Sequence, residues 1–111
     1  MNLAAEHISP DGTLRFIIER DDNDLSLGFA GYSWHTHADL LAASFGISEQ
    51  EAIARFVEDL IDDRAIIAVS RVGGKIHDVW ITDDPLSEMR YKPEEEDIKF
   101  RHWSGRPWHA S

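Results

Sequence analysis

Residues 48–72 read SEQEAIARFVEDLIDDRAIIAVSRV, and this stretch decides the fold. Ile53, Phe56, Val57, Leu60 and Ile61 recur at i, i+3, i+4, i+7 and i+8, the spacing that lines one side of an α-helix with apolar groups. Ser48 can accept from the free N–H groups of the first turn while Glu51, three residues on, reaches back, so the helix begins there. After Arg64 the pattern changes. Ala65 to Val72 is an almost unbroken β-prone run, as expected of a central strand covered on at least one side.

Working back from that helix, Thr36 and Asp39 repeat the capping pattern for a preceding helix with Leu40, Leu41 and Phe45 on its apolar side and Gly46 at its end. Earlier still, Leu14–Arg20 and Leu25–Gly31 flank Asp21-Asp22-Asn23-Asp24, two strands around an Asx-rich turn. Leu14, Phe16 and Ile18 share one face of the first strand; Arg15, Ile17 and Glu19 share the other. Working forward, Gly73-Gly74 turns the chain into a strand over Lys75–Thr82, which places His77 half-buried beside Val79 and Ile81. Residues 83–96, with Pro85, Pro93 and three successive glutamates, read as a long polar loop with at most one helical turn. Asp97–Trp103 alternates as a last strand, and 104–111 is a tail broken by Gly105-Arg106-Pro107. The order ββααβββ predicts a single α+β domain over 1–111, a mostly antiparallel sheet of about five strands with two helices packed on one face.

The 111 residues are 42% hydrophobic and 29% charged, which excludes a disordered chain. No apolar run approaches the roughly 18 residues of a membrane-spanning helix. Residues 1–10 lack the basic start and apolar centre of a signal peptide. The chain contains no cysteine, so disulfides and thiolate metal sites are excluded. A soluble cytoplasmic domain is the expectation. Net charge is −10, and it is uneven: residues 1–64 hold 13 acids and 4 bases (−9), residues 65–111 hold 8 and 7 (−1). Such a surface repels nucleic acid and anionic lipid and attracts basic partners. Improved solubility is the plain alternative.

With Ile53 at 0° and 100° per residue, Glu51, Arg55, Glu58, Asp59 and Asp62 fall at about 140–240°, one outward stripe opposite the core. Four carboxylates against one guanidinium suit the lysines and arginines of a basic protein; a solvated face with Glu51–Arg55 pairing is the alternative. Residues 40–57 also have the outline of a helix-turn-helix, but the second helix opens Ser48-Glu49-Gln50-Glu51, and only Arg55 and Arg64 are placed to neutralise phosphate. DNA binding is excluded by the sign of the charge.

His35-Thr36-His37-Ala38-Asp39 offers two imidazoles and a carboxylate at a spacing that can ligate zinc. These five residues resemble the front of the metallo-β-lactamase motif H-x-H-x-D-H. Leu40 stands where that family has a histidine, and the chain is too short for that family's two-layered sandwich. Asp22, Asp24 and Ser26 lack the glycine and the glutamate that a calcium loop needs at its sixth and twelfth positions. No serine lies in a nucleophile elbow and no glycine loop can cradle phosphate, so no catalytic residue and no cofactor is assigned. Near the C-terminus bases and aromatics interleave. Trp80, Arg101, Trp103 and Trp108 are read as a candidate interface, for a homodimer or a partner, unless the tail folds back over the sheet.

The leading expectation is a small acidic, non-enzymatic module that recognises a basic protein through its second helix, in the manner of an immunity or antitoxin-like inhibitor. Its alternatives are a metal- or ligand-binding domain, hydrolytic or not, built on His35, His37 and Asp39, and an oligomeric regulatory or structural subunit.

Overall fold

The computed structural model describes residues 2–109. Its first half is an antiparallel meander in which each strand pairs with its sequence neighbour: β1 (Asn2–Ile8), β2 (Arg15–Asp21), β3 (Asp24–Phe29) and β4 (His35–His37). Asp21 pairs with Asp24 across the β2–β3 turn, and Asp22 adopts φ 54°, a left-handed conformation that aspartate tolerates through its short polar side chain. As the alternation requires, Phe16 and Ile18 are buried, while Ile17 and Glu19 lie on the opposite face. The strand β1 is an addition to the expected set. Its own alternation is faint, its register slips between Leu3 and Ala5, and Leu3 and Ile8 stay exposed; β2 holds it through the ladder and a Glu6–Arg15 ion pair.

β4 leads straight into α1 (Ala38–Phe45). Thr36 therefore does not cap that helix. It pairs with Leu27 in the ladder, His37 takes the capping position without a side-chain bond, and Asp39 accepts from the Leu40 N–H. Leu40 is 60% exposed and leaves the core to Ala38 and Leu41. The next helix, α2 (Glu49–Ile61), begins as its sequence specifies. The Ser48 hydroxyl accepts from Glu51 N at 3.2 Å and donates to the Glu51 carboxylate at 3.0 Å. Leu60 is fully buried and Ile53, Phe56 and Val57 pack against the core, whereas Ile61, at the helix end, is exposed.

A second, three-stranded sheet follows, with β5 (Ile66–Val72) between β6 (Lys75–Thr82) and β7 (Glu96–Arg101), both antiparallel to it. Central β5 buries Ile67, Ala68, Val69 and Ser70 in succession. Opposite Arg71 the register jumps from Asp78 to Ile76, and the residue squeezed out is His77, which is exposed instead of half-buried. Within the polar stretch 83–96 lies α3 (Pro85–Arg90), capped by Asp84, whose side chain accepts from Ser87 N, with Pro85 at its first position. The α+β class thus holds, with seven strands in two sheets and three helices in place of about five strands in one sheet and two helices.

Both sheets and α2 share one core. Phe16 is enclosed by Phe29 (edge to face, 5.2 Å) and Phe56 (stacked, 5.9 Å), and Leu60 joins them to Ile67, Val69 and Val79. Two polar clasps tie the end of the chain down. Arg101 Nη1 donates to Asp11 at 2.8 Å and to Thr13 at 2.9 Å; Asp63, at φ 62°, accepts from the Ser104 amide and hydroxyl at 3.0 and 2.6 Å. Among the described residues no helix is long and apolar enough to cross a membrane.

Candidate functional site

Strand register builds a trough on the outer face of the first sheet. Glu19, Ser26 and His37 lie in one cross-strand row, and Ile17, Gly28 and His35 in the next. Residues two apart on a strand share a face, so two imidazoles form one wall, Ile17 and Glu19 the other, and the small side chains of β3 the floor. Tyr32 and Trp34 close one end, leaving a volume of about 360 Å³. Gly28 is required by close approach: a Cβ there would lie 2.6 Å from the Trp34 carbonyl oxygen and 3.2 Å from His35 Cβ.

Each imidazole has an oxygen beside Nδ1, but only His35 is held there by a hydrogen bond. His35 Nδ1 donates to Ser33 O at 3.0 Å, which fixes its tautomer because a carbonyl can only accept. His37 Nδ1 is buried and stands 2.9 Å from Asp24 Oδ2. The two make no hydrogen bond, and His37 Nδ1 has no hydrogen-bond partner among the described residues. The two rings meet edge to face with centroids 5.0 Å apart. Asp39, the third member expected from the sequence, turns to its own helix terminus and lines no part of the trough. Among the described residues no three His, Asp, Glu or Cys side chains gather as a metal site.

Next to the trough, and sharing Asp21, Asp24 and His37 with it, is an acidic cleft where the β2–β3 turn meets the starts of α1 and α2. Asp21, Asp22, Asp24, Asp39 and Glu49 line it with Asn23, His37 and Leu40, and among the described residues no lysine or arginine does. Asp39 and Glu49 sit in first turns, where the helix dipole favours carboxylates and makes them inexpensive to keep.

The outward stripe of α2 is present but partly neutralised. Arg64 donates to Asp59 at 2.9 Å and to Asp62 at 3.3 Å, and Glu51 is engaged by Ser48. Arg55 lies 4.6 Å over the Phe45 ring instead of pairing with Glu51. Among the described residues Glu58 makes no ion pair.

The expected aromatic interface does not assemble as an open face. Trp103 is 4% exposed within the core, because β7 ends at Arg101 and the following turn swings Trp103 inward. Trp108 packs edge to face on Phe100 at 5.6 Å and its backbone N–H donates to Phe100 O, so after the turn the chain runs back along the free edge of β7, where Pro107 bridges Arg101. Trp80 donates to Glu88 at 3.2 Å, and Arg101 is consumed by the Asp11 clasp.

Sequence reasoning missed the trough's Glu19, Gly28 and Trp34 and the acids Asp21, Asp22 and Asp24 as parts of a site. Alternation in Arg15–Glu19 does put Ile17 and Glu19 outward; what they face depends on register. Comparison of the chain with protein-family models, with curated proteins and with solved structures gives no match.

Proposed function

We propose that this chain is a small, non-enzymatic binding module for a basic protein, and that the acidic cleft between the β2–β3 turn and the starts of α1 and α2 is its centre. The supporting observation is that Asp21, Asp22, Asp24, Asp39 and Glu49 line one cleft that, among the described residues, no lysine or arginine lines. Concave surfaces of one sign focus the field, raise association rates and select partners of the opposite sign. On α2, away from the cleft, Glu58 makes no ion pair among the described residues, whereas Asp59 and Asp62 are neutralised by Arg64. A cytoplasmic inhibitor that blocks a basic cleft, as immunity and antitoxin proteins do, is the functional type this arrangement fits.

Capture of partner protein on the immobilised chain, at low and at high salt, tests the reading. The comparison variant carries Asp21→Asn, Asp22→Asn, Asp24→Asn, Asp39→Asn and Glu49→Gln; asparagine keeps the left-handed conformation at position 22. A basic protein retained at low salt, released at high salt and bound at least about tenfold more weakly by the variant is the expected result. Retention that is insensitive to salt, or equal for the variant, overturns it.

A further inference from the structure

We infer that His35 and His37 form an open, two-imidazole site for a divalent transition-metal ion of the zinc, nickel or copper class, bound through both Nε2 atoms. This site shares Asp21, Asp24 and His37 with the acidic cleft, but it stands on the trough's own geometry and not on partner recognition.

Three observations carry it. The first is spacing. Two imidazoles sharing one tetrahedral ion, each nitrogen about 2.0–2.1 Å from it, set their ring centroids about 5 Å apart. The rings of His35 and His37 are 5.0 Å apart, with planes at 84°. The second is the outer arrangement. Imidazoles that bind metal characteristically give their other nitrogen to a carboxylate or a backbone carbonyl, which orients the ring and makes it a better donor. His35 already gives its Nδ1 to Ser33 O at 3.0 Å; His37 Nδ1 makes no hydrogen bond among the described residues, and Asp24 Oδ2, 2.9 Å from it, is the carboxylate to which it would be given when the ring turns onto an ion. In each ring Nε2 is the nitrogen left for an ion. The third is room and field. Ser26 and Gly28 put no bulk on the floor, and Glu19, Asp21 and Asp24 line the same trough, which favours a cation.

Nitrogen donors without any thiolate select zinc, nickel or copper over calcium or magnesium. With two protein donors, the remaining coordination positions fall to water or to an oxygen from a bound molecule. Glu19, across Ser26 from His37, adds negative charge to the opposite wall without joining the two imidazoles as a ligand. The site differs from the sequence expectation in its carboxylate. Asp24 acts from outside the coordination sphere, and Asp39 takes no part.

Titration of the tag-free chain with zinc ions alone, followed by calorimetry and by imidazole resonances in NMR, is the test. One equivalent should bind with a micromolar dissociation constant, and among the six histidines the resonances of His35 and His37 should move first. His35→Gln and His37→Gln should each weaken binding at least about a hundredfold, Asp24→Asn about tenfold, and Asp39→Asn not at all. The resonance readout on the unmodified chain decides the question even if a histidine variant fails to fold. Binding that does not saturate, shifts confined to other histidines, or unchanged affinity in His35→Gln and His37→Gln each overturn the inference. So does an Asp39→Asn loss as large as that of Asp24→Asn.

Discussion

Replacing Asp11 by Asn breaks the charged centre of the clasp between the start of the chain and β7, and its cost should depend on pH. The Asp11 carboxylate accepts from Arg101 Nη1 at 2.8 Å, Ser9 Oγ at 2.6 Å, Thr13 Oγ1 at 2.9 Å and Thr13 N at 3.2 Å. A hydrogen bond to a charged group contributes about 1.5–3 kcal/mol when shielded, and an exposed ion pair only about 0–1 kcal/mol. Here the side chains are 35% and 18% exposed, between those limits. The asparagine amide also keeps one acceptor. A loss of about 1–2 kcal/mol follows, or about 4–8 °C in Tm for a domain of this size. The Arg101 guanidinium above all, with the Ser9 and Thr13 donors, holds the Asp11 carboxyl well below the usual carboxylate range, against the opposing effect of burial. A carboxyl that is more acidic folded than unfolded stabilises the fold fully above its unfolded pKa of about 3.9, and this contribution is lost as pH falls towards the folded value. The difference between wild type and Asp11→Asn should therefore be complete at neutral pH and shrink below about pH 4. Urea denaturation of both proteins across that range measures it. A difference that stays constant down to about pH 2.5 would refute the charge-based account and leave only packing at the Ser9–Thr13 turn.

Two further outcomes are expected. Phe16→Ala removes a fully buried ring in contact with Phe29 and Phe56 and should cost about 3–5 kcal/mol in chemical denaturation; a loss below about 1 kcal/mol would mean that the first sheet and α2 do not pack as described. Gly28→Ala puts a methyl group 2.6 Å from the Trp34 carbonyl, so it should destabilise by more than about 1 kcal/mol and alter the His35 and Trp34 NMR shifts, whereas Ser26→Ala, one row away on the same floor, should leave stability within about 0.5 kcal/mol.

What the sequence made legible was local. The start of α2 could be read because Ser48 and Glu51 are three residues apart and satisfy each other within one turn. Its buried stripe could be read because helical spacing is independent of the partner surface. The hairpins at Asp21–Asp24 and Gly73-Gly74 carry their own turn chemistry. Thr36 misled because a capping residue and a strand residue look alike until β4 is seen to pair with β3. Trp103 misled because alternation was extended two residues past the end of the strand at Arg101. The division into two sheets and the trough were hidden for one shared reason: both depend on which strands pair and in what register, a non-local choice that no window of sequence contains. Thus His35 and His37 were visible as a pair, but the carboxylate beside them is Asp24, on the neighbouring strand, and not Asp39 two residues on.

The meander order of the first sheet also bears on how fast the fold is reached. Each of its pairings joins sequence neighbours, as does β5 with β6, so most backbone contacts close short loops and should form early. The Arg101–Asp11 bond joins residues 90 apart and has to wait for both halves. Contacts made after the rate-limiting step slow escape from the native state without hastening arrival. This clasp therefore acts as a latch: its loss should raise the unfolding rate and leave the refolding rate almost unchanged.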